Sequence, residues 1–157
     1  ARPLADLPPP PAAATGLDDA LRRMRWRVEP APFALAGFAA PPTERDLACL
    51  ADPPAQVVRE GGETTVLARL AFVEALLPRH PGARCERPLA WIRFELPMAW
   101  ELVGFLARVT GALAAAGVPL GAVCGYSRDH LFVPEAHLPA ARAALTRQFG
   151  AESPWAT

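Results

Sequence analysis

The sequence predicts an α+β fold: two ferredoxin-like modules of the βαββαβ type in tandem, each an antiparallel sheet with helices on one face. Three observations predict it. The order strand–helix–strand–turn–strand–helix runs from residue 33 to 77 and starts again near residue 90. In each half a helix joins two strands, which requires a crossover, and a hairpin follows. Pro78, Pro81, Gly82 and Pro88 mark a linker between the halves. The chain is therefore expected to hold a flexible Pro/Ala-rich arm over 1–14, an N-terminal module over 15–80 and a C-terminal module over 88–150.

The elements follow in order. Pro8 to Pro11 are consecutive and favour polyproline II, so the arm has little to bury. Thr15-Gly16-Leu17-Asp18 opens a helix, with threonine as N-cap and Leu17, Leu21 and Met24 on one face. Phe33–Phe38 alternates large and small side chains and predicts a strand, ended by Pro41-Pro42. Thr43-Glu44-Arg45-Asp46 repeats the capping pattern and starts a short helix to about Leu50. Val57-Val58-Arg59 and Thr64-Thr65-Val66-Leu67 flank Gly61-Gly62, a pair that supplies positive φ for a tight hairpin turn. Residues 70–77 predict a helix stopped by Pro78, and His80 falls in the linker, where solvation is expected.

In the second half, Ala90, Ile92, Phe94 and Leu96 alternate with Trp91, Arg93 and Glu95, a strand with one apolar face. Residues 100–116 predict a long helix with Leu102, Leu106, Val109 and Leu113 as its buried stripe and Gly117 as its C-cap. Residues 120–126 and 130–133 predict strands joined by a turn at 127–129. Cys124 sits there as a small apolar filler of a core strand. Residues 137–149 form the last helix, facing inward through Leu138, Ala141, Leu145 and Phe149. Residues 150–157 make a poor strand.

Composition excludes several function classes. The 157 residues carry 16 basic and 16 acidic side chains and no net charge, which argues against holding nucleic acid or anionic lipid by bulk charge. No apolar run is long enough for a membrane span, and no secretory pattern opens the chain. The three cysteines are odd in number and widely spaced, as expected of reduced thiols in a cytoplasmic protein. All 16 basic residues are arginine and 33 residues are alanine, a bias expected of a GC-rich bacterial genome. Arginine count alone therefore signals no phosphate site.

Residues 102–120 read LVGFLARVTGALAAAGVPL. This run resembles the first helix of ACT domains, D-x-P-G-x-L-A-x-[VI]-T-x-x-L-A-x-x-G-[IV]-x-[IL]. Glu101 stands at the family aspartate and Val103 at its proline. Residues 122–134, AVCGYSRDHLFVP, are similar to a hairpin of a small bacterial subgroup of tandem ACT proteins, with Arg128 where histidine is common. VVREGGETTVLA in the first half resembles that subgroup's other hairpin. The resemblance covers about 17–149. It implies a regulatory module, without cofactor, that binds an amino acid or a related small molecule between modules or subunits, in a homodimer.

The candidate site residues cluster at two places. The strand-to-helix corner around Met98, Glu101 and Gly104 presents free N–H groups and the positive end of a helix dipole, which suit a carboxylate. Gly104 would admit a close approach. Glu101 either complements the dipole or receives an α-amino group. The hairpin turn through Gly125, Tyr126, Arg128 and Asp129 gathers hydrogen-bonding groups. Asp129 suits an ammonium and Arg128 a carboxylate, although a solvated turn capped by its own aspartate has the same pattern. Arg59, in the first-half turn, is a further candidate for a carboxylate.

Other chemistry has little support. His130, His137, Cys124 and Asp129 lack metal-ligand spacing. Neither Ser127 nor Ser153 lies in a G-x-S-x-G elbow, and the Gly61-Gly62 pair is in a hairpin rather than a phosphate loop. A non-enzyme without metal is expected. The alternative reading is a ligand-free scaffold that pairs with a partner protein through its sheet edges.

Overall fold

The computed structural model describes residues 12–154. The helix α1 (Leu17–Arg23) and strand β1 (Trp26–Val28) come first. They are followed by β2 (Phe33–Phe38), α2 (Glu44–Leu47), β3 (Gln56–Glu60), β4 (Glu63–Arg69) and α3 (Leu70–Leu76). The chain continues with β5 (Arg84–Phe94), α4 (Phe105–Ala115), β6 (Gly121–Cys124), β7 (Asp129–Pro134) and α5 (Leu138–Phe149). The order β-α-β-β-α thus occurs twice, from β2 and from β5. The fold is α+β, with an antiparallel sheet and helices on one face, as the sequence predicts. Hydrogen-bonded strands run β3-β4-β2-β5-β7-β6, with β1 pairing β5.

Contacts divide the chain into two compact units. One holds the described residues up to Arg27, with 92–131 and those from 139 onward; the other holds 28–91 and 132–138. The division therefore differs from the expected boundary at 80–88. Much of that linker is strand, because β5 begins at Arg84 and pairs antiparallel with β2, from Gly37↔Arg84 to Phe33↔Leu89. Those ladder bonds tie residues 84–89 to the first repeat.

In the unit of residues 28–91, β4 lies antiparallel to both β2 and β3. The turn between β3 and β4 uses Gly61 at φ +54°, as the Gly-Gly pair predicts. The inward residues of β2 and β4, including Ala34, Ala36, Phe38 and Val66, pack with Val73 and Leu76 of α3. Alanine on β2 lets the helix approach closely. His80 is not solvated: it is buried and stacks on Phe38 with ring centroids 3.7 Å apart. Its Nε2 lies 3.1 Å from the buried Asp46 carboxylate.

In the other unit, Phe94, Phe105 and Phe149 form an aromatic cluster, with Phe94 edge-on to Phe105 at 5.3 Å. Trp26 is fully buried and donates from its indole to the Gly150 carbonyl at 3.0 Å. The residues of α4 that face this core are Phe105, Val109 and Leu113, at i, i+4 and i+8.

Several expectations need correction. The helix expected over 100–116 begins only at Phe105, because Gly104 adopts φ +97° and reverses the chain before it. Its stripe therefore shifts, and Leu106 is exposed rather than buried. The N-cap of α1 is Gly16, not Thr15, and no side chain caps it. β1 was not expected; three residues are too few for a periodic signal. Most of the predicted arm, residues 1–11, lies outside the described residues. Its last residue, Ala14, is fully buried and bridges Met98, donating to the Pro97 carbonyl and accepting from the Ala99 N–H.

Candidate functional site

Two segments of the unit holding α4 are joined by a hydrogen bond from the Met98 N–H to the Ser127 carbonyl, 2.9 Å long. One is the corner between β5 and α4; the other is the turn between β6 and β7. Between them lies a cavity of about 290 Å³. The corner contributes Met98, Ala99, Trp100, Leu102 and Gly104, and α4 contributes its first turn, Phe105 to Ala107. Residues Cys124 to Asp129 form the rest of the wall.

The helix end is uncompensated. Gly104 is the N-cap and has no side chain to accept from the first turn, and no acidic residue lies in that turn. The first helical bond at this end is Arg108 N–H to the Gly104 carbonyl. The N–H groups of Phe105, Leu106 and Ala107 precede the ladder, and the positive dipole end adds to their pull on an anion. Leu17 packs close to the N-cap: a Cβ at Gly104 would stand 3.2 Å from its Cδ2.

The hairpin turn supplies opposite charges. Arg128 and Asp129 both line the cavity. Among the described residues, neither has an ion-pair partner within 4.0 Å, in contrast to Arg27, which pairs with Glu95 at 2.9 Å. Burial pushes the Asp129 carboxyl above its ordinary range, and a hydrogen bond from the Cys124 thiol opposes that shift. Behind the turn, burial holds His130 below its ordinary range, helped by the charges of Arg128 and Arg93. Gly125 is required by the turn's closeness: its N–H donates to the Arg128 carbonyl at 3.1 Å, and a Cβ would stand 2.8 Å from that oxygen.

Met98, Gly104, Gly125, Tyr126, Arg128 and Asp129 therefore meet at one cavity, although they were singled out from two separate stretches of sequence. Glu101 does not line it. The delayed helix start leaves Glu101 exposed in the turn before α4, outside the first helical turn whose dipole it was expected to complement. Arg59 belongs to the other unit. Its Nη1 donates to the carbonyls of Ala39, Ala40 and Gly62 and to Thr64 Oγ1, all within 3.2 Å. Cys124, expected as core filler, is exposed and faces the cavity, because β6 is an edge strand with little packed on it. The sequence reading also missed Ser127 and the first-turn residues Leu106 and Ala107 as walls. The positive-φ requirement at Gly104 was the signal that would have moved the helix start onto them.

Residues 84–147 match the family model of the ACT domain, which is the second β-α-β-β-α repeat. Solved structures of similar fold include an Agrobacterium tumefaciens protein, 17% identical over 83% of this chain and 91% of its own, with TM-score 0.67. A Vibrio cholerae protein of unknown function, described as a possible transport protein, is 20% identical over 83% of this chain and 92% of its own, with TM-score 0.62. The ligand-free regulatory subunit of aspartate kinase from Thermus thermophilus is 16% identical over 79% and 95%, with TM-score 0.54. At such identities the likeness shows the fold alone. No curated protein matches the chain.

Proposed function

We propose that this chain is a regulatory protein that binds an amino acid at the cavity between the α4 N-terminus and the β6–β7 turn, and that it works as a homodimer. One observation carries the reading: an uncapped helix N-terminus, and an arginine and an aspartate without ion-pair partners among the described residues, line the same cavity. A zwitterion answers all three without any net field. Its carboxylate takes the free N–H groups of Leu106 and Ala107, with Arg128 beside it. Its ammonium takes Asp129. The volume, near the lower end of ordinary ligand pockets, suits a single amino acid better than a nucleotide. The ACT domain at 84–147 and the neighbouring aspartate kinase regulatory subunit support a regulatory role. On this reading the site binds and does not catalyse, and both repeats are ACT modules.

The test is a thermal-shift screen of the whole chain against the twenty amino acids and common nucleotides. A ligand present at 100 times its dissociation constant should stabilise the protein by about 2.7 kcal/mol. Asp129→Asn should weaken that ligand by at least about tenfold, the loss of one charged hydrogen bond. The second reading, a ligand-free scaffold, is favoured by β3 and β6, which end the strand order with exposed residues. Silence across the screen together with a stable complex through those edges would establish it instead.

A further inference from the structure

We infer that the amino acid bound here carries an aromatic side chain, which Trp100 and Tyr126 receive; this deepens the function just proposed and rests on it. Trp100 is 79% exposed and Tyr126 87% exposed, yet both line the cavity. Tryptophan is among the residues most buried on average, and the two other tryptophans among the described residues, Trp26 and Trp91, are at most 5% exposed. Each ring comes from a different segment, and the Met98–Ser127 hydrogen bond fixes the two segments beside one another.

The charged side chains of the cavity, Arg128 and Asp129, are used up by the backbone end of the ligand. Asp129 is the one acidic residue in the wall, and the ammonium occupies it. A cationic side chain would meet Arg128 with no second acid to answer it. Beside the two rings, the corner side of the wall is apolar, with Met98, Ala99 and Leu102, and the remaining turn residues Cys124 and Ser127 carry no charge. Rings prefer offset-stacked or edge-to-face partners, and such pairs add attraction beyond area burial. A leucine side chain gains the burial without that addition. Each ring pair should therefore favour an aromatic ligand by about 2- to 10-fold.

The experiment is calorimetric titration of the whole chain with L-phenylalanine, L-tryptophan, L-leucine, L-lysine and L-aspartate. It is run on the wild type and on Trp100→Leu, Tyr126→Leu and the double variant, with sedimentation of each. The expected result is an aromatic amino acid bound at least about fourfold tighter than leucine, and a ratio that collapses toward one in the double variant. Tightest binding by leucine, lysine or aspartate, abolished by Asp129→Asn, would overturn the aromatic assignment and leave the site standing. So would a Trp100→Leu chain that loses its dimer yet keeps the wild-type selectivity, because the ring would then be a partner contact. Failure of all five to bind the wild type would remove the proposed function and this inference together. Unfolding curves of the variants separate lost binding from lost fold.

Discussion

Arg59 Nη1 lies 3.0 Å from Thr64 Oγ1, and Thr64 in turn donates to the Ala40 carbonyl at 2.7 Å. The two residues fill the corner of the first repeat where β2 hands over to α2. The helix that starts there is capped as well: Thr43 and Asp46 form a reciprocal capping box. The corresponding corner of the second repeat has glycine as cap, no first-turn acid and a cavity. One element order thus treats its helix N-terminus in two opposite ways.

Stoichiometry follows from that difference. The cap of α2 is already taken by Thr43, and Glu44 and Asp46 put negative charge in the first turn where an anion would sit, so the chain should bind one ligand, not two. Titration should give one site per chain. Arg59→Ala should lower stability by roughly 1 kcal/mol, as for an exposed hydrogen-bonding group, without creating a second site. Two equivalent sites per chain would contradict the assignment of Arg59 to structure.

Asp46 should make stability fall in acid. Burial alone would raise its carboxyl, but hydrogen bonds from the Thr43 backbone and hydroxyl and from Arg79, with His80 Nε2 3.1 Å away, hold it far below the ordinary range. A depressed carboxylate contributes stability above the unfolded pKa, near 3.9, and loses it as pH falls below that value. Asp46→Asn should cost about 2–4 kcal/mol at pH 6, from a weakened cap and a lost charged bond. It should also flatten the slope of stability between pH 5 and 3, two pH settings at which urea unfolding reads the effect. An unchanged slope would mean that another group controls acid unfolding.

Much of this was legible in the sequence. Residues 33–36 alternate large and small, Pro41-Pro42 ends the run, and the strand is found at Phe33–Phe38. The Thr43 capping pattern and the Gly61 turn are local signals, and local physics decides them. The α4 start was not legible, since residues 100–104 have helical spacing while the φ of Gly104, +97°, decides where the helix begins. His80 was misread for a related reason: its partners, Phe38 and Asp46, lie more than thirty residues away. The turn stood out because it concentrates polar types, and the corner because a strand end there meets a helix N-terminus and Gly104. That they share a cavity depends on the Met98–Ser127 bond, which no spacing encodes.

Ligand affinity should depend on pH through Asp129. Its carboxyl titrates above the ordinary 3.8, because burial disfavours the charged form. An ammonium needs the ionised form. Affinity should therefore weaken on acidification, beginning at a higher pH than for an exposed aspartate, and Asp129→Asn should abolish that dependence while lowering affinity throughout. Calorimetry from pH 7 to pH 4 measures both.

The two glycines of the site should fail differently. Gly104→Ala forces a side chain to φ +97° and against Leu17, which costs about 1–2 kcal/mol. Gly125→Ala meets a backbone oxygen at 2.8 Å, so the turn itself must move. Melting temperature should fall in both. The β6–β7 amides should shift widely in NMR spectra of Gly125→Ala only, and confined changes there would show that the turn tolerates the methyl group.

Cys124 should report occupancy of the cavity. Of the three cysteines, Cys49 is buried and Cys85 half-buried, and burial raises both thiols. A raised thiol holds less thiolate at neutral pH, and the thiolate is the species that attacks a disulfide reagent. Cys124 is exposed, and it lines the cavity beside Asp129. An aromatic disulfide at pH 7.5 should therefore label about one thiol rapidly in the folded chain, and Cys124→Ser should remove that rapid phase. A saturating amino acid ligand should slow it at least about tenfold, because the ligand's backbone end covers the β6–β7 turn. Rapid labelling that persists at full occupancy would place the ligand elsewhere.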